Sequence, residues 1–234
     1  MKDQRIWELD ALRGLMIWIV VYIHLAFDFD YFLSIDLIKN PILQYCADHF
    51  GVCFVILSGL SVTIGRRSVR RGLQVFGCGM VITAVTLGMY LLQMADRFLI
   101  IYFGVLHLLG VCMMLWPIFR RLPWWTLALI GIAFVGLGHW FGTMYVQQSW
   151  LFPLGLHTAS FCSGDYFPLF PHLGWFLLGA ALGKLLYKEK RTLLPWKGAD
   201  RLPVRFLRLC GRRSIWIYLA HQPILYGIVL LMTK

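Results

Sequence analysis

His24 and Asp28, in the stretch IHLAFD, stand four residues apart. At that spacing two side chains share one face of a helix and can meet. A carboxylate beside an imidazole orients the ring and favours its charged form during proton transfer. That is what a general base for a hydroxyl or amine nucleophile requires. The plainer alternative is a histidine at headgroup level bonded to its neighbour. The same stripe continues toward the N-terminus. At about 100° per residue, Asp10, Arg13, His24 and Asp28 fall within about 60° of one another.

Other chemistry-bearing residues are scattered more widely. His107 lies mid-segment in IIYFGVLHLLG, where it serves either a helix–helix hydrogen bond or proton transfer inside the membrane. His221 and Gln222 precede Pro223, so the pair either lines a pocket or repairs the break a proline makes. Arg66, Arg67, Arg70 and Arg71 form a cluster that anchors topology or clamps phosphates. Asp165, Tyr166 and His172, in GDYFPLFPHLGW, sit on a proline-stiffened loop that could bind a sugar or simply anchor at the interface. His49, His139 and His157 are isolated. The histidines and six cysteines lack metal-ligand spacing, so no metal is expected. Cys46 and Cys162 fall in expected outer loops and could pair. Phosphate-loop, dinucleotide and G-x-S-x-G fingerprints are absent from the sequence.

The elements that must carry these residues are membrane helices. The 234 residues are 59% hydrophobic and 14% charged, with mean hydropathy +0.70. Soluble domains are about half apolar and about a quarter charged. Lipid tolerates only segments that satisfy their own backbone, so the fold class expected is an all-α polytopic bundle. MKDQRIWELD leads into a long apolar run without a small-residue cleavage site, so the first helix is expected to be its own insertion signal.

Seven spans are expected, at about 11–27, 49–65, 72–94, 98–118, 124–142, 171–187 and 214–232. Between the last two, RLPVRFLRLCGRR is basic and amphipathic and suits the inner leaflet. The N-terminus and the loops after segments two, four and six hold 19 of the 22 Lys and Arg; the other side holds Lys39, Arg97 and Lys234. That bias places the N-terminus in the cytoplasm. It also accounts for the net charge of +11 without nucleic acid as a partner. With no repeat, low-complexity tract or soluble insert, residues 1–234 read as one transmembrane domain.

The motifs ELDALRG with the following His24 and Asp28, FVILSGLSVTIGRR, YFGVLHLLG, DYFPLFPHLGWFLLGAALG and RSIWIYLAHQPILY together resemble one family. It is the catalytic domain of the heparan-alpha-glucosaminide N-acetyltransferases, within the transmembrane acyltransferases, and the likeness is to its small bacterial members. The resemblance implies an acetyltransferase that takes acetyl groups from cytoplasmic acetyl-CoA and places them on a sugar or glycoconjugate. Related membrane acyltransferases carry an Arg or Lys eleven positions before an essential His, the relation of Arg13 to His24. They also carry a cytoplasmic R-x-x-R associated with the acyl donor, which Arg67 and Arg70 match. The lysosomal member is larger and has its catalytic His in the loop before the second span. Here the loop 28–48 holds no His and His49 follows it, so His24 and His49 both stand as the base.

The expectation is thus a membrane enzyme of the bacterial plasma membrane. His24 is the base, oriented by Asp28, and His107 serves the leaving thiolate or the thioester oxygen. Arg13, Arg66, Arg67, Arg70 and Arg71 hold acetyl-CoA. Asp165, His172 and His49 lie on the acceptor side, and a homodimer is one assembly the reading allows. Two other classes compete: a small transporter or channel whose substrate path the polar stripe lines, and a structural membrane subunit.

Overall fold

The computed structural model describes residues 6–194 and 201–232, the side chain of Leu230 excepted. Lys2, Arg5, Lys197 and Lys234, which entered the charge count, lie outside the described residues. The described residues form eight α-helices: α1 Trp7–Leu33, α2 Pro41–Ile64, α3 Ser68–Leu91, α4 Val105–Phe119, α5 Trp124–Phe141, α6 Leu169–Leu186, α7 Leu202–Arg212 and α8 Ser214–Met232. Two short 3-10 turns, Arg97–Leu99 and Ser149–Leu154, interrupt the connections. The all-α expectation holds among the described residues.

Five helices, α1, α2, α3, α5 and α6, are long and apolar enough to cross a membrane, against the seven spans expected. The 15-residue α4 is apolar but shorter. At 1.5 Å per residue it reaches only about 22 Å, against about 30 Å of hydrocarbon. Its predecessor FLIIYFG reads as helix from composition alone. In the structure Gly104 is extended, with φ −90° and ψ −174°, and Phe103 pairs as an isolated bridge with Tyr166. The segment expected at 214–232 is the helix α8.

The first connection is shorter than expected, because α1 and α2 run on through polar residues. Ser34 ends α1 in the left-handed region (φ 55°), its N–H donating to the Asp30 carbonyl and the next N–H, of Ile35, to that of Phe29. That is a Schellman-type ending, made here by a serine where glycine is usual. Asn40 then caps α2, its side-chain oxygen accepting from the Ile42 N–H at 2.8 Å, with Pro41 at the first helical position.

The chain divides into two compact units. The first comprises residues 1–54 and 189–234, the second residues 55–188. In the first, α1 packs against α7 and α8. The crossing of α1 and α7 needs glycine: a Cβ on Gly14 would strike the Leu207 carbonyl, and one on Gly211 the Asp10 carbonyl. Small residues at such crossings let backbones approach closely. The basic, amphipathic segment expected at the inner leaflet is α7, docked on the N-terminal half of α1. At the start of α1, Glu8 accepts from the Thr192 hydroxyl (2.7 Å) and the Leu193 N–H (2.8 Å).

In the second unit α3 pairs with α4 and α5 with α6. Gly72 and Gly110 form the α3–α4 contact, a Cβ on the former lying 2.7 Å from the carbonyl of the latter. Lys184 donates to the carbonyls of Arg120 and Leu122, which end α4 and its turn. A lysine there complements the negative end of the helix dipole. All six cysteines are free thiols.

Candidate functional site

The first unit holds two polar clusters along α1. Near its N-terminus, Asp10 accepts from Arg212 Nε at 3.2 Å and lies 3.6 Å from Arg13 Nη1. Asp10 is buried and sits in the first turn of α1, where the helix dipole favours an anion. Arg13 therefore has a fixed carboxylate neighbour, and α7 supplies the second cation.

Toward the other end, α1 contributes His24 and Asp28 and α8 contributes His221 and Gln222. Asp28 is 1% exposed and His221 6%. A buried carboxylate needs partners, and Gln222 supplies them: its amide nitrogen donates to both carboxylate oxygens, at 2.9 and 3.0 Å. The expected bond from His24 to Asp28 is not the one formed. Nδ1 of His24 instead lies 2.9 Å from the Val20 carbonyl, one turn back. Asp28 remains an electrostatic neighbour of His24 rather than its hydrogen-bond partner. The His24 ring meets the His221 ring edge to face, centroids 4.8 Å apart and planes at 86°.

The proton positions follow from the partners. A carbonyl only accepts, so Nδ1 of His24 is the N–H donor, and in the neutral ring Nε2 presents a lone pair. That is the form a general base must have. His49, the other expected base, is exposed on α2; its Nδ1 lies 2.9 Å from the Tyr45 carbonyl and its ring stacks on Tyr45 at 4.2 Å. It has the same tautomer but no buried carboxylate beside it among the described residues.

His107 occupies the second unit in a different way. It is 1% exposed, and both ring nitrogens are engaged. The Gly104 N–H donates to Nδ1 at 3.2 Å, and Nε2 lies 3.3 Å from the Thr83 hydroxyl. That hydroxyl donates to the Ile101 carbonyl at 2.6 Å, so Nε2 must be the donor to it. Phe76 and Phe103 flank the ring at 5.4 and 5.6 Å, and Gly79 leaves it room, since a Cβ there would come within 2.9 Å of Nδ1. His107 thus pins the extended stretch before α4 to α3, and no nitrogen is left for a substrate.

Asp165 acts nearby as a cap. Its Oδ2 accepts from the Val105 N–H at 3.1 Å, at the start of α4. This tethers the loop before α6 to that helix end. Tyr166 donates to the Phe152 carbonyl, and burial raises its phenol above the ordinary tyrosine range. His172 bonds the Pro168 carbonyl at 2.8 Å in the first turn of α6. The structure therefore groups Asp165 with His107 around one helix start.

Arg66, Arg67, Arg70 and Arg71 are all exposed at the turn from α2 to α3, and none is ion-paired among the described residues. Arg67 holds a left-handed backbone, φ 58° and ψ 47°, immediately before α3. Among the described residues no group of three or more His, Cys, Asp and Glu side chains is placed to hold a metal ion.

Sequence alone leaves His221 and Gln222 divided between a pocket and helix repair. Pro223 has no N–H, so the carbonyl it orphans is that of Leu219, four residues back. His221 bonds the carbonyl of Tyr218 instead, and Gln222 reaches across to Asp28. Neither side chain performs the repair. What no spacing could show is that residues 194 apart in the chain share one carboxylate.

No curated protein and no solved structure gives a significant match. A family model described as "Heparan-alpha-glucosaminide N-acetyltransferase, catalytic" matches residues 5–223, most of the chain. With its several bilayer-length helices, the chain belongs to this heparan-alpha-glucosaminide N-acetyltransferase catalytic family and is a multi-pass membrane protein of acyltransferase type.

Proposed function

We propose that the protein moves an acetyl group from acetyl-CoA to a hydroxyl or amine of a sugar or glycoconjugate, with His24 as the general base. The observation that carries this is the His24 tautomer beside a buried carboxylate: Nδ1 is fixed on the Val20 carbonyl, leaving Nε2 as a lone pair. His24 Nε2 takes the proton of the acceptor O–H or N–H as that atom attacks the thioester carbonyl. The C–S bond breaks, the new C–O or C–N bond keeps the acetyl group, and the CoA thiolate leaves and is protonated. Asp28 stabilises the imidazolium through its charge.

The donor's phosphates fall to the arginines of the α2–α3 turn. Arg67 and Arg70, with Arg66 and Arg71, offer exposed guanidinium forks of the geometry that phosphates accept. Arg13 belongs with the donor by its spacing from His24, eleven positions before it. The positive-inside bias supports a cytoplasmic position for these arginines, the side on which a plasma-membrane enzyme meets acetyl-CoA.

The test is purified protein in lipid nanodiscs with acetyl-CoA and a panel of sugars, read as free thiol. Thiol release by wild type and by His49→Ala, with loss in His24→Ala, is the expected pattern. Loss in His49→Ala with turnover kept in His24→Ala would move the base to His49. Thiol release in no case would end the acyltransferase reading.

A further inference from the structure

Two buried atoms on α8, Nε2 of His221, whose ring packs on His24, and Oε1 of Gln222, whose amide meets Asp28, have no hydrogen-bond partner among the described residues. Buried polar groups are nearly always bonded, and a group left without a partner points to something missing from the site. The neighbours decide what that something must be. Nδ1 of His221 faces the Tyr218 carbonyl at 2.5 Å, so it is the donor and Nε2 carries a lone pair. The Gln222 amide nitrogen donates to Asp28, and Oε1 of the same amide is an acceptor with nothing to accept. His24 Nε2, at the next ring, is a lone pair by the same logic. Nε2 of each histidine and Oε1 of Gln222 are therefore acceptors, on residues that neighbour a buried carboxylate.

We infer that His221 Nε2 and Gln222 Oε1 form a subsite that receives two O–H or N–H hydrogens of a polyol or amino-polyol, next to His24. This rests on the acyltransferase reading for the identity of that guest as the acyl acceptor. His221 holds a hydroxyl that is not the reacting one, while His24 faces the one that is. A molecule that brings only acceptors leaves these two buried lone pairs unfilled. The subsite thus favours a molecule that carries several donors, as a sugar does.

The experiment uses the full chain, ¹⁵N-labelled at histidine, in nanodiscs, with glucose and glucosamine as probes. The His221→Leu variant assigns the His221 resonance and gives a KM for glucosamine in the thiol-release assay. The expected result is a non-protonated Nε2 signal in the free protein, a shift toward hydrogen-bonded nitrogen with either sugar, and a KM at least tenfold higher in His221→Leu. A protonated Nε2 in the free protein overturns the inference. So does thiol release that needs His24 while the His221 signal stays still and KM changes less than twofold; the acyltransferase reading then survives alone. A shifted signal with no thiol release keeps the subsite and removes the acyltransferase reading. No shift and no turnover removes both.

Discussion

His24 and His107 are both histidines on apolar helices, yet their surroundings differ in one respect that separates the roles proposed for them. Around His107 every proton has a destination: Gly104 donates to Nδ1, Nε2 donates to Thr83, and Thr83 donates to Ile101. Around His24 the Nδ1 hydrogen is placed, but His24 Nε2 is left as a lone pair, and Nε2 of His221 and Oε1 of Gln222 have no partner among the described residues. A saturated network is architecture, since substrate could enter only by breaking it. An unsaturated one has capacity for a guest. Position within a membrane helix is the same for both; unused hydrogen-bonding capacity is what distinguishes the residue proposed as base from the other.

The sharpest break of this comparison is His24→Ala. General-base assistance is worth about 10²–10⁴ in rate, so thiol release should fall at least a hundredfold, with thermal stability close to wild type. Arg67→Ala combined with Arg70→Ala comes next. Each charge-assisted contact to a phosphate contributes about 1.5–3 kcal/mol, so KM for acetyl-CoA should rise about tenfold or more with kcat little changed. Loss of kcat with KM unchanged would remove the donor role.

On the other side of the comparison, His107→Ala should act on stability. It leaves a cavity and the Gly104 N–H without its acceptor, a destabilisation of about 2–4 kcal/mol that a nanodisc melting curve would register. Turnover per folded molecule should stay within a few-fold of wild type. Asp165→Ala is the smallest change of the series: removing the cap at Val105 should destabilise by about 1 kcal/mol and leave KM for sugars unaltered. A raised sugar KM with unchanged melting would return Asp165 to the acceptor side.

How far the sequence could be read follows the same physics. Long apolar runs identify membrane helices because lipid leaves the backbone no alternative, and α5 and α8 fall within one residue of expectation. The first loop is shorter than expected because Asp28, Asp30 and Asp48 look like loop residues, although acids do not break helices. What ends α1 is Ser34 in a left-handed turn, a conformation its residue type does not announce. The start of α4 was hidden for the opposite reason: apolar residues 100–103 are held extended by Tyr166 and Ser163, far along the chain. The stripe carrying His24 and Asp28 was visible from periodicity. The hydrogen bonds within it were not, because an i−4 carbonyl competes with an i+4 carboxylate for the same imidazole, and Asp28 found its donor on α8.

The most direct measurement compares His24→Ala and His107→Ala side by side, as thiol released from acetyl-CoA per folded molecule with glucosamine present. The unsaturated cluster predicts at least a hundredfold loss in the first and near wild-type turnover in the second. Turnover preserved in His24→Ala and abolished in a folded His107→Ala would contradict it and move the chemistry to the second unit.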